Sequence, residues 1–267
     1  MFAMMRVIDL LVRPLLVFVG LAVIGLLAVR FLSLPDVDLP RIAHAGGGVE
    51  GATYTNSIAA LDANHAEGFR FFEVDFLKTS DGQTVCGHDW EPFGGEPLTN
   101  AGFLDRRGAE GGRPCTFEEL TNWFAANPDS TLVSDAKTDD TEVVSELAAR
   151  LSSQLIVQAY DFRQVCDLRR VGVERIILTL YRLPRGYLSL VSGLRSTCVA
   201  AGYAEAVTMD RDRVWRGHAL VTKLVTGLPV YAHTVNDCSE ARWLYLLGAD
   251  EFYTDFLPVR SCGLFSR

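Results

Sequence analysis

From residue 41 onward the sequence alternates between short β-rich runs and longer amphipathic stretches, and it does so eight times. The runs are RIAHAG (41–46), FRFFEVDFL (69–77), TLVSDAK (131–137), LIVQAYD (155–161), RIILTLY (175–181), AEAVTMD (204–210), LPVYAHTV (228–235) and DEFYTD (250–255). Several are almost continuously apolar, as parallel strands covered by helices must be. Stretches such as SIAALDANHAEG, TFEELTNWFAAN and VWRGHALVTKLVTG supply the helices between them. Eightfold alternation in a chain of 267 residues predicts an α/β fold of the (β/α)8 TIM-barrel type, an architecture of typically ~250 residues. An open doubly wound sheet is the main competitor, but no G-x-G-x-x-G follows the first run; HAGGG is only a glycine cluster.

One stretch breaks the rhythm. Residues 90–114, WEPFGGEPLTNAGFLDRRGAEGGRP, hold six glycines and three prolines and carry neither a helical nor a strand period. A structureless segment this long in a compact domain is more often functional than accidental, and here it would cover the catalytic end of a barrel.

The first forty residues follow other rules. Residues 14–29, PLLVFVGLAVIGLLAV, carry no charge and lie between Arg13 and Arg30. A spanning helix needs ~20 mainly apolar residues, and the two arginines can snorkel to the interfaces to extend the span. The expected organisation is one N-terminal transmembrane helix within an anchor or signal segment (1–34), a linker (35–40), and the barrel (41–267). A cleaved signal peptide and a core helix are the alternatives; the segment has no polar stripe and no obvious small-x-small cleavage site. Arg6, Arg13 and the terminal amine outweigh Arg30 and Arg41, which favours the N-terminus inside and the barrel outside the cytoplasm.

Residues 1–40 balance three Arg against three Asp, so the whole net charge of −8 sits on residues 41–267. An acidic domain argues against nucleic acid as a partner, because that needs Lys and Arg along the phosphates. The six cysteines (86, 115, 166, 198, 238, 262) show no metal-ligand spacing. They permit disulfides without requiring them, and Cys86 reads equally as a small packing residue.

Chemistry-bearing residues gather on the early strands. Glu73 and Asp75 are two apart and so share one strand face. That pattern fits a solvated face, but at the inner end of a barrel strand the pair needs a cation, and oxygen ligands favour Mg²⁺ or Ca²⁺. Asp135 and Lys137 repeat the spacing, as a strand-end ion pair or as a third metal ligand and a phosphate contact. His44 ends the first strand, and His88 follows the turn SDGQTV. Either histidine alone reads as structural; together they suit acid–base catalysis beside a metal.

These residues bring the sequence to a resemblance. From IAHAGG through TNSIAALDANHAEGFRFFEVDFLKTSDGQTVCGHDW, and again at TFEEL, SDAK and VYAHTVNDCSEARWLYLLGADEFYTDFLP, it resembles the glycerophosphodiester phosphodiesterase family of phospholipase-C-like barrels. The resemblance implies catalytic His44 and His88, metal ligands Glu73, Asp75 and Asp135, and phosphate-binding Lys137. It also implies a divalent cation and a glycerophosphodiester or phospholipid-type substrate, and it makes 90–114 the family's insertion. The family's Arg after the first histidine is Ala45 here, its Glu-Asn-Thr is Thr55-Asn56-Ser57, and its commoner Glu is Asp135. His233 stands for a frequent Trp. The spider-toxin sphingomyelinase D branch shares Asp-x-Lys and lacks the same Arg. A membrane-anchored barrel that binds a phosphorylated lipid or glycan without cleaving it is the alternative.

Overall fold

The β-rich runs fold as strands and the amphipathic stretches as helices. The computed structural model describes Leu21, Gly25, Val29, residues 41–108, 113–136, 141–183, 185–259 and Cys262. Most of the expected anchor and linker, Lys137 and residues 109–112 of the insertion lie outside the described residues. Among the described residues no helix is long and apolar enough to cross a membrane.

The strands are β1 Arg41–Ala43, β2 Phe71–Lys78, β3 Thr84–Cys86, β4 Thr131–Ala136, β5 Leu155–Ala159, β6 Ile176–Thr179, β7 Ala206–Asp210, β8 Val230–His233 and β9 Glu251–Thr254. All but β3 pair in parallel around a ring that closes where β1 meets both β2 and β9. This is the expected TIM barrel. β3 hangs antiparallel on β2 through Phe76↔Cys86, outside the ring. β5 and β6 are buried along their whole length, which explains their unbroken apolar runs.

The helices are α1 Ile58–Glu67, α2 Asn100–Arg106, α3 Phe117–Ala126, α4 Thr141–Leu151, α5 Phe162–Arg170, α6 Tyr187–Leu194, α7 Thr197–Ala200, α8 Arg211–Trp215, α9 His218–Thr226 and α10 Cys238–Leu246. Their starts are written in the sequence. Ser57 accepts the Ala60 N–H, Thr116 and Glu119 form a reciprocal capping box, and Asp161, Asp210 and Asp237 cap α5, α8 and α10. The main core lies between barrel and helices, with Phe72, Phe76, Leu120, Phe124, Leu147 and Phe252 among its members. A smaller core of Ile42, Val133, Ile156, Ile177, Ala206 and Tyr253 fills the barrel interior.

Three expectations change. The run VWRGHALVTKLVTG is two helices, because Gly217 takes a left-handed φ of 79° and breaks it between α8 and α9. The insertion is not structureless: it holds a 3₁₀ turn at Glu91–Phe93 and α2, and it builds a local core of Trp90, Phe93, Leu98 and Phe103 against Leu77 and Val85. Its apolar residues are too few and too scattered by glycine to show a period. Finally, Cys86 is not a mere packing residue. All six cysteines are bonded, as Cys86–Cys115, Cys166–Cys198 and Cys238–Cys262, with Cα separations of 5.1, 5.4 and 4.9 Å that suit the bond.

Candidate active site

The strand period decides where the carboxylates go. On β2, Phe72, Val74 and Phe76 pack outward into the main core, which turns Glu73 and Asp75 inward, where they are 2% and 1% exposed. β4 runs beside β2 with Asp135 in register with Asp75. An oxygen of each of Glu73, Asp75 and Asp135 lies within 4.8 Å of the others. A solvated strand face is therefore excluded for Glu73 and Asp75.

Neutral amides orient the two buried carboxylates. The Ala45 N–H donates to Glu73 Oε2 at 2.7 Å. Asn56 grips Asp75 from both sides: its Nδ2 donates to Asp75 Oδ2 at 3.0 Å, and its Oδ1 accepts the Asp75 N–H at 2.9 Å. Ala45 and Asn56 both adopt positive φ, 50° and 47°, to reach these positions. Three inward carboxylates with pure oxygen donors fit a hard divalent cation, which would offset the cost of keeping them ionised in a buried place.

His44 follows β1 directly. Its Nδ1–H donates to Asp255 Oδ1 at 2.9 Å. Asp255 follows β9, the strand that pairs with β1, so closure of the barrel brings the two together. Asn236 fixes the aspartate in turn: its Nδ2 donates to Asp255 Oδ2 at 2.8 Å, while its Oδ1 accepts the Asp255 N–H at 2.8 Å. Burial opposes charge on the imidazole, but the Asp255 hydrogen bond and the fields of Glu73, Asp255 and Asp75 outweigh it and push His44 up to about 9.

His88 lies on the loop after β3 and is the more open of the two, with its side chain 42% exposed. Its Nδ1–H donates to Asp89 Oδ2 at 2.7 Å. Two links hold its loop: the Gly87 N–H donates to the Asp75 carbonyl at 2.9 Å, and Cys86 is bonded to Cys115. Cys115 donates its N–H to the Asn56 carbonyl, so the carboxylate clamp and the His88 loop share one support. Tyr54 stands between the histidines, edge-on to both, with ring centroids 4.7 Å from His44 and 4.9 Å from His88.

His44, His88, Glu73 and Asp135 all line one cavity of about 340 Å³ at the C-terminal end of the barrel. Asp75 adjoins it through the carboxylate cluster. Lys137 lies outside the described residues. Arg182, Tyr160 and His233 complete other parts of the wall. Tyr253 forms part of the floor, where burial and the Glu73 charge hold its phenol well above the usual range, hence neutral. Sequence reasoning did not single out Asp255, Asn236, Tyr54 or Arg182. Asp255 carries the same local signal, since it too follows a strand directly, but its partner is 211 residues away in the sequence.

No family model matches the sequence. Solved structures do resemble the fold. A glycerophosphodiester phosphodiesterase from Parabacteroides distasonis superposes with a TM-score of 0.67 at 18% identity, covering 84% of this chain and 95% of that one. One from Thermotoga maritima gives 0.63 at 16% identity, covering 83% and 96%. A phosphodiesterase from Oleispira antarctica, in complex with the product sn-glycerol-3-phosphate, gives 0.61 at 17% identity, covering 86% and 96%. The chain has the barrel fold of the glycerophosphodiester phosphodiesterases, at low sequence identity.

Proposed function

We propose that the protein is a metal-dependent phosphoric diester hydrolase acting on a glycerophosphodiester or a related phospholipid-type diester. One observation carries this reading: two histidines, each held through Nδ1 by a carboxylate, face one cavity together with a three-carboxylate cluster. The sn-glycerol-3-phosphate bound to the Oleispira antarctica relative supports the choice of substrate class.

With Nδ1 engaged, each imidazole keeps Nε2 for proton exchange. One histidine takes the proton of the attacking oxygen, that of water or of a neighbouring substrate hydroxyl, as the new P–O bond forms, and the other gives a proton to the alkoxide that leaves as the old P–O bond breaks. Asp255 and Asp89 stabilise the imidazolium that forms at each stage. Glu73, Asp75 and Asp135 would hold Mg²⁺ or Ca²⁺, which when bound polarises the phosphoryl group and offsets its charge. Lys137, two residues beyond Asp135, is assigned the phosphate. Asn56 and the Ala45 N–H keep the carboxylates aimed inward, and Tyr54 fixes the separation of the imidazoles.

The barrel is assigned to the outside of the cytoplasm, anchored by residues 1–34. Three disulfides in a chain with no free cysteine support an oxidising compartment. The apolar run at 14–29 supports the anchor.

The test is a panel of glycerophosphodiesters and phospholipids, with and without a chelator. Cleavage that needs a divalent cation and vanishes in His44→Ala, His88→Ala and Glu73→Ala is expected. Metal binding with no turnover on any member would instead favour a barrel that binds a phosphorylated lipid or glycan.

A further inference from the structure

Across the barrel from His44, the cavity wall changes character. β6 lies four strands from β1 in either direction around the ring, so the residues after β6 face those after β1. Those residues are Tyr181 and Arg182, and both line the cavity. The Arg182 guanidinium stacks over the Tyr160 ring, 4.3 Å from its centroid. Tyr160, which follows β5, is 6% exposed, and its hydroxyl has no hydrogen-bond partner among the described residues.

The segment that carries Arg182 is fixed. The Leu180 N–H donates to the Thr208 carbonyl at 2.8 Å, and the Leu183 N–H donates to the Leu180 carbonyl at 3.0 Å, closing a turn around Arg182. From below, Arg213 donates to the Leu183 carbonyl, and the His218 Nε2–H donates to the Arg185 carbonyl at 3.1 Å. Arg213 and His218 are each 1% exposed. Two buried side chains therefore hold the backbone just after an arginine that lines a substrate-sized cavity.

This arrangement has a charge consequence. An aromatic wall attracts ammonium groups through its ring face. Here a guanidinium already covers the Tyr160 face, so an incoming ammonium meets a like charge. An anion instead meets a guanidinium, a group that forms strong paired hydrogen bonds with phosphate or carboxylate.

We infer that Arg182 is a specificity-determining residue, selecting diesters whose second alcohol carries its own phosphate or carboxylate and disfavouring those that end in an ammonium. The inference rests on the phosphodiesterase reading and names the substrate class of that site. Four probes share the glycerophosphate half: glycerophosphocholine, glycerophosphoglycerol, glycerophosphoinositol 4-phosphate, and the diester of glycerol phosphate with glyceric acid. With the full chain and Mg²⁺ at low salt, kcat/KM for at least one anionic probe is expected to exceed that for the choline diester by about tenfold, through KM. The two anionic arms separate phosphate from carboxylate recognition. Arg182→Gln should collapse the ratio toward one, Arg182→Lys should keep part of it, and added salt should weaken it in the wild type. Equal kcat/KM across the wild-type series overturns the inference while leaving the hydrolase reading intact. So does an Arg182→Gln loss of the same size on all four probes, which marks a structural role. A wild type that cleaves none of the four overturns both.

Discussion

Asp255 Oδ1 lies 2.9 Å from His44 Nδ1, so the residue after the last strand sets the tautomer of the residue after the first. Asn at position 255 keeps the shape and removes the charge. Asp255→Asn should lower kcat by about 100-fold or more with a smaller effect on KM, since an orienting carboxylate on a catalytic histidine acts mainly in the transition state. Steady-state kinetics on a cleaved glycerophosphodiester would settle it; an unchanged kcat removes the pair from the proton chemistry.

The same geometry predicts a titration. In metal-free protein, His44 should titrate at about 9 by NMR, and a divalent cation should bring it down by cancelling the fields of Glu73 and Asp75. Because the folded value lies above the ordinary 6.5, the stability His44 confers is complete below pH 6.5 and is lost as pH rises through about 9. A metal-free midpoint under 7 would contradict the network.

The carboxylate cluster makes a binding prediction separate from turnover. Glu73→Gln or Asp135→Asn should abolish the rise in Tm that Mg²⁺ or Ca²⁺ gives the wild type. That rise corresponds to about 2.7 kcal/mol at a hundredfold excess over Kd. Asn56→Ala, which releases Asp75, should weaken the metal by about 10- to 100-fold without removing it. Calorimetric titration measures each, and full-strength binding to Glu73→Gln would place the ion elsewhere.

The bond between Cys86 and Cys115 closes a segment with a sequence separation of 29. Loop-closure entropy puts its loss at about 3 to 4 kcal/mol. The double variant Cys86→Ser, Cys115→Ser should show that deficit in urea unfolding, with lower kcat from the loosened His88 loop. A deficit under about 1 kcal/mol would mean that the local core around Phe103 holds the insertion unaided.

Stability should also depend on pH at the other end of the barrel. Burial, helped by Asp250 and Glu205, pushes the Glu251 carboxyl up to about 7. Its contribution is complete below the ordinary 4.5 and is lost as pH rises through about 7. Glu251→Gln should therefore match the wild type poorly at pH 8, where it is more stable by roughly 1 to 2 kcal/mol after allowance for solvent screening, and lose that advantage below pH 4.5. Denaturation at both pH values checks the crossing.

The barrel was legible because each barrel strand is short and largely apolar and at least one helical stretch separates it from the next. Glu73, Asp75 and Asp135 were legible through a local rule, the strand period of two. Asp255 and Asn236 were not: their roles depend on which strands become neighbours when the ring closes, and His44 lies 211 residues from Asp255. Arg182 was hidden for a related reason. Its meaning comes from Tyr160 on the adjacent strand and from Arg213 and His218 behind it, none of which carries a local pattern. The helix in 90–114 escaped because seven residues, Asn100–Arg106, give less than two turns of period.

The seam between β1 and β9 gives the protein a built-in order of assembly. His44 precedes its carboxylate by 211 residues, so a growing chain carries the imidazole before Asp255 can reach its Nδ1. On the proposed function, the acid–base pair is complete only once β9 docks beside β1, and truncation before Asp255 should leave the first histidine without its carboxylate and abolish turnover.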